Sequence, residues 1–78
     1  MARLVFLGRL EDIAGGAERE VPGGALADVL ATLDPELAAA LGADRIRIAL
    51  NGTLVAARST LVLGEADELA FLPPVSGG

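Results

Sequence analysis

Apolar and polar positions in this chain follow two periods, and the switches between them lay out its elements. Arg3-Leu4-Val5-Phe6-Leu7-Gly8 reads as a first strand, with Leu4 and Phe6 inward and Arg3, Val5 and Leu7 outward. Leu10 and Ile13, with Glu11-Asp12 between them, suggest a helical turn ended by Gly15-Gly16. Ala17 to Val21 is a short, charged candidate for an edge strand, since charges on an edge discourage unwanted pairing, and Pro22-Gly23-Gly24 closes it. The period then lengthens. Leu26, Val29, Leu30 and Leu33 fall at i, i+3, i+4 and i+7, one face of a helix from about Ala25 to Leu33. Asp34-Pro35 interrupts it, and Glu36 to Leu41 forms a further helical turn stopped by Gly42 at C′. Period two returns in Ile46-Arg47-Ile48-Ala49-Leu50. Asn51-Gly52 and the apolar run Thr53 to Ala56 follow, and they predict a hairpin on a type I′ turn. A two-residue loop sets Leu50 opposite Thr53, Ala49 opposite Leu54 and Ile48 opposite Val55. Ile46, Ile48 and Leu50 then face the core, and Arg47, Ala49 and Leu54 share the other face. Arg58 to Leu63 is a connection, Gly64-Glu65-Ala66-Asp67 an acidic turn, and Glu68 to Leu72 the last strand, with Leu69 and Phe71 inward.

That strand runs into Pro73-Pro74 and then Val75-Ser76-Gly77-Gly78. Each proline fixes φ near −65°, lacks an N–H and pushes its predecessor toward extended geometry. Strand pairing is expected to stop at about Leu72, dividing the chain into a domain over 1–72 and an extended, flexible tail over 73–78. Six residues at ~3.3 Å each reach roughly 20 Å. Gly77 and Gly78 have no side chains and can enter a slot too narrow for any other residue. The expected working group is the α-carboxylate of Gly78. Gly-rich ends are often only frayed chain; the rigid Pro-Pro lead-in argues against that here.

Composition narrows the chemistry. The chain has 78 residues and is 53% hydrophobic, enough for one small aliphatic core, with Phe6 and Phe71 its only aromatics. It has no His, Cys, Lys, Tyr or Trp. No side-chain type present has an unperturbed pKa near neutrality, no serine or threonine has a His or Lys to activate it, and no His/Cys cluster can hold zinc. A general acid or base would have to be a strongly shifted carboxylate, so a freestanding enzyme is not expected, and any reactivity is expected at a terminus or borrowed from a partner. Eleven acids against six arginines give a net charge of −5, without the basic run that binds nucleic acid. Any partner recognised electrostatically is expected to present a basic surface. No segment approaches the roughly 20 apolar residues of a membrane span, and no export signal is visible, so a cytoplasmic address is expected.

The order strand, strand, helix, hairpin, strand predicts an α+β domain, a sheet of four to five strands on one main helix. If the first and last strands are central neighbours, as in a β-grasp, they run parallel; element order alone leaves that open. The alternation makes Leu7, Leu54 and Leu72 exposed apolar candidates on one sheet face. Burying them contributes roughly 1.5–3 kcal/mol each, against an association cost of ~4–15 kcal/mol. Such a patch binds weakly unless the tail is inserted as well.

Leu50-Asn51-Gly52-Thr53-Leu54-Val55, the run from Asp67 through Phe71-Leu72-Pro73-Pro74 to Val75-Ser76-Gly77-Gly78, and the opening Leu4 to Leu10 resemble the MoaD-type proteins. These are the small sulfur-carrier subunits of molybdopterin synthase, in the ThiS and ubiquitin-like β-grasp superfamily. The likeness spans the chain, by pattern alone from Ala14 to Asp44. The Ala57 to Glu65 connection is slightly longer than usual, and the lack of lysine means the chain cannot itself accept an isopeptide bond. The resemblance implies no bound cofactor or metal. A MoeB-like adenylating enzyme uses ATP and magnesium to activate Gly78, and a sulfur donor converts it to a thiocarboxylate. Pro73, Pro74, Val75, Ser76 and Gly77 then enter a MoaE-like large subunit, where sulfur passes to cyclic pyranopterin monophosphate. The implied assembly is a heterotetramer with two large subunits. Three alternatives remain: a carrier for thiazole synthesis or tRNA thiolation, a ubiquitin-like modifier joined through Gly78, and an interaction domain with an inert tail.

Overall fold

A computed structural model describes residues 1–74 of the chain. In chain order the elements are β1 (Ala2–Phe6), α1 (Arg9–Ala14), β2 (Glu18–Val21), β3 (Gly24–Ala25), α2 (Leu26–Ala31), α3 (Pro35–Leu41), β4 (Arg47–Leu50), β5 (Thr53–Val55), a 3₁₀ turn (Arg58–Thr60), β6 (Val62–Leu63) and β7 (Glu68–Leu72). Five strands form one mixed sheet in the order β2-β1-β7-β4-β5, and β3 pairs with β6 in a separate two-stranded ribbon. The expected α+β, β-grasp architecture is the one found. β1 and β7 are central neighbours and run parallel, with Leu4 opposite Leu69 and Phe6 opposite Phe71. A parallel pair needs a crossover, and here everything between the two strands supplies it.

The two phenylalanines meet in the core at a centroid distance of 5.9 Å and an interplanar angle of 13°, a stacked pair. Such pairs contribute about 0.5–1.5 kcal/mol beyond the area they bury. Around them close Leu4 and Leu69 from the central strands, Ile46 and Ile48 from β4 and its approach, and Leu26, Val29, Leu37 and Leu41 from the helices. No polar or charged residue is buried among the described residues.

The break expected at Asp34-Pro35 separates α2 from α3. Thr32 caps α2, its hydroxyl donating to the Val29 carbonyl at 2.7 Å. Asp34 then starts α3 by accepting from the Glu36 N–H at 3.1 Å, with Pro35 in the first turn, where its missing N–H costs nothing. Gly42 departs from expectation. It caps α3 with φ −84°, a right-handed residue, and not as a left-handed C′ glycine. At this end Ala38 accepts from the Gly42 N–H (3.0 Å) and Ala40 from the Ala43 N–H (3.4 Å), while Arg58 donates to the last helical carbonyl, Leu41 (2.8 Å), and beyond the helix to Ala43 (3.2 Å) and Ile46. One guanidinium thereby ties the α3–β4 loop to the 3₁₀ turn, and its charge suits a helix C-terminus.

The hairpin has the expected register, Ile48 opposite Val55, Ala49 opposite Leu54 and Leu50 opposite Thr53. Asn51 and Gly52 both have positive φ, 49° and 87°, as a type I′ turn demands. Asn51 also reaches back to the turn before β7. Its Nδ2 donates to Asp67 Oδ1 at 3.1 Å, and its Oδ1 accepts from the Glu68 N–H at 2.9 Å. Asp67 Oδ2 accepts from the Gly64 N–H at 2.8 Å. These donors, Gly64 first and Asn51 second, hold the Asp67 carboxyl below its ordinary value.

Phe71→Ala is expected to lower the unfolding free energy by about 3–5 kcal/mol. Urea titration followed by far-UV circular dichroism reads the loss, the chain having no Trp or Tyr to report it. Because the folded Asp67 is the stronger acid, its contribution to stability is complete above the unfolded value of about 3.9 and disappears as pH falls through the lowered folded value. Asp67→Asn should therefore flatten the acid limb of the urea midpoint against pH; an unchanged limb would remove Asp67 from the account.

Candidate functional site

The site is built where the last strand leaves the sheet. β7 is central, flanked by β1 and β4, and its pairing ends with Leu72 opposite Arg47. Pro73 follows, over the far end of β1. Gly8, the residue that starts α1, has φ 58° and ψ −136°, a combination suited to glycine. A Cβ at Gly8 would lie 2.9 Å from Pro73 Cγ. The missing side chain thus serves two needs at one residue, a backbone turn from strand to helix and a seat for the departing proline. Pro73 and Pro74 are half-buried. Pro74 borders two clefts, one along β4 and β5, the other between α1 and the loop that Arg58 ties down.

The outer face of the sheet continues from this exit. Leu54 is 63% exposed and lies in register row with Ala49 and Ala70. Leu7 is 41% exposed and extends the outward alternation one residue past β1, its N–H donating to the Phe71 carbonyl at 3.2 Å. The strand register sets Leu72 on this face too, yet it is half-buried where exposure was expected. The physical reason is its place in a central strand, covered on both flanks and followed at once by Pro73. The face keeps two of its three expected apolar projections.

Of the other sequence-derived site residues, Val75, Ser76, Gly77 and Gly78 lie outside the described residues. Among the described residues no group of His, Cys, Asp and Glu could hold a metal ion, and no helix is long and apolar enough to cross a membrane. Sequence reasoning missed the Gly8–Pro73 seat, and it placed no arginine at the exit. Arg9, Arg45, Arg47 and Arg58 all border the clefts at Pro74. Their spacing along the chain carries no signal of this.

The ThiS family profile matches residues 4–78. No curated protein sequence matches the chain significantly. Among solved structures, SAMP1 from Haloferax volcanii is 28% identical with a TM-score of 0.74, covering 99% of this chain and 98% of that one. The solution structure of small archaeal modifier protein 1 from Methanosarcina acetivorans is also 28% identical, with a TM-score of 0.82 over 99% and 95% of the two chains. A Pyrococcus furiosus protein provisionally described as molybdopterin converting factor, subunit 1, shares the fold at 23% identity and a TM-score of 0.67, over 95% and 97%.

Gly8→Ala is expected to cost about 1–3 kcal/mol through backbone strain at this φ,ψ, before the clash with Pro73 is added. Thermal denaturation checks the loss. A companion Gly8→Ala/Pro73→Ala chain, which removes the clashing ring atom, should recover part of it if the seat is real and none if strain acts alone.

Proposed function

Because the chain belongs to the ThiS family of ubiquitin-like sulfur carriers, we propose that it carries sulfur as a thiocarboxylate on Gly78 and serves as the small subunit of a molybdopterin synthase. The observation that carries this reading is the launch point. The central strand hands the chain to Pro73 over Gly8, at the border of an exposed apolar face bearing Leu7 and Leu54. A tail started from a rigid point beside a docking face is the geometry that delivering a terminal group requires. Preorganisation lowers the entropy lost when the tail is inserted.

The chemistry starts from an ionised carboxylate, a poor acyl donor. In the proposed sequence a Gly78 carboxylate oxygen attacks the α-phosphorus of ATP, on an adenylating partner that also binds magnesium, and pyrophosphate leaves. A sulfur donor then supplies sulfide to the acyl carbon and AMP departs, leaving the thiocarboxylate. Inserted into a MoaE-like large subunit by way of Pro73, Pro74, Val75, Ser76 and Gly77, this sulfur nucleophile attacks an oxygen-bearing carbon of cyclic pyranopterin monophosphate and displaces that oxygen; water then cleaves the resulting thioester, which leaves the sulfur on the pterin and returns Gly78 as a carboxylate. The chain itself contributes the sulfur and the docking surface. Its lack of His, Cys, Lys and Tyr assigns proton transfers to the partners. Pro-Pro-Val-Ser-Gly-Gly is the sequence feature that favours the molybdopterin pathway over other sulfur-transfer routes.

A second reading has its own support. Both SAMP1 proteins are more similar in sequence to this chain than the Pyrococcus protein is, and one is described as a modifier. A modifier would be joined through Gly78 to lysines of other proteins.

Intact mass separates the two. Protein isolated from cells making molybdenum cofactor should gain the difference between one sulfur and one oxygen, and a chain lacking Gly78 should not. Gly78-dependent conjugates with an unmodified free mass would favour the modifier, and neither species would sink both readings. For docking, Leu54→Glu should weaken the complex with the MoaE-like subunit at least tenfold by titration calorimetry, the counterpart of about 1.5–3 kcal/mol for one buried leucine, while circular dichroism stays unchanged.

A further inference from the structure

The six arginines fall into two sets. Arg3 pairs with Glu18 at 3.6 Å, Arg19 donates to the Ala14 carbonyl, and Arg58 is spent on three carbonyls of the α3–β4 loop. Arg9, Arg45 and Arg47 are exposed and, among the described residues, have neither an ion pair nor a hydrogen bond to a side chain or carbonyl. All three border the clefts at Pro74. They arrive there from three elements: the first turn of α1, the loop before β4, and the outward face of β4 opposite Leu72. One carboxylate, Asp44, borders the same clefts, and no ion pair joins it to them. In a chain with eleven acids and a net charge of −5, the unpaired cations have gathered where the tail leaves.

We propose that Arg9, Arg45 and Arg47 form a cationic rim that docks against carboxylates bordering the tail channel of the adenylating partner; this rests on the carrier reading above. The occupant is an acidic protein surface. Arginines lining both clefts beside Pro74 face whatever docks around the inserted tail, and three guanidiniums on a net-negative chain do not make a nucleic-acid footprint. Guanidinium forks suit carboxylates in geometry as well as charge. Exposed charges of this kind act on encounter rate and orientation, and their effect fades with salt.

The test is pyrophosphate exchange into ATP by the adenylating enzyme, measured against carrier concentration at low and high salt. Arg9→Gln/Arg45→Gln/Arg47→Gln should raise the carrier concentration for half-maximal exchange about tenfold or more at low salt, the scale of electrostatic steering. The maximal rate should be retained, and the difference should shrink at high salt. Arg19→Gln, which removes one positive charge away from the exit, should match wild type, whereas Arg47→Gln alone should already raise the carrier requirement, and the thermal midpoint of each variant confirms folding. If the triple variant tracks wild type while wild type is active, the rim is wrong and the carrier reading stands. A raised ATP requirement with an unchanged carrier requirement would mean that the arginines meet nucleotide phosphates, which also overturns the proposal. No exchange with folded wild type removes the carrier reading, and the rim with it.

Discussion

The parallel pairing of β1 with β7 is the constraint from which the rest of the architecture follows. It joins the first and last strands at the centre of the sheet and stacks the only two aromatic rings across them. Because parallel neighbours cannot be joined by a tight turn, the intervening chain must cross from one end of the sheet to the other. On the way it leaves its helices on one face and β4–β5 on the far side of β7. The same pairing brings Gly8 beside Pro73, so the point where the first strand becomes a helix is also where the last strand becomes a tail. Core and site are consequences of one contact.

Much of this was legible in the sequence because it is written in short-range patterns. Alternation gave the inward Leu4, Phe6, Leu69 and Phe71, and Asn51-Gly52 gave the hairpin with its register. Asp34-Pro35 gave the break between helices. What stayed hidden is non-local. The β3–β6 ribbon has two residues per strand, too few for any period, and Gly23 shows its purpose only in the fold, where a Cβ would meet the Leu63 carbonyl at 2.7 Å. Leu72 obeys the alternation but is covered by flanking strands. Gly42 ends α3 without a left-handed turn, and a distant arginine meets the last helical carbonyl, that of Leu41.

Net charge and local charge are different quantities in this chain. Net charge pointed to a basic partner. The fold distributes the charges unevenly, however: Glu18 on β2 is paired with Arg3, while Arg9, Arg45 and Arg47 border the clefts at Pro74 with Asp44 the one carboxylate beside them. Recognition depends on the potential at the contact, not on the total. Residues 9, 45 and 47 share a surface only because the crossover returns β4 to the side of β7.

The position of β7 also bears on how the protein is made. This central strand leaves the ribosome after every other strand and helix of the sheet, so β1 and the helices wait without their partner until it emerges. A chain released before Leu69 and Phe71 lacks the middle of its sheet and exposes the apolar faces meant to cover it. Such fragments are substrates for proteolysis and cannot persist as folded decoys. Folding therefore proofreads translation, and a molecule with its sheet complete has been read through at least to Leu72.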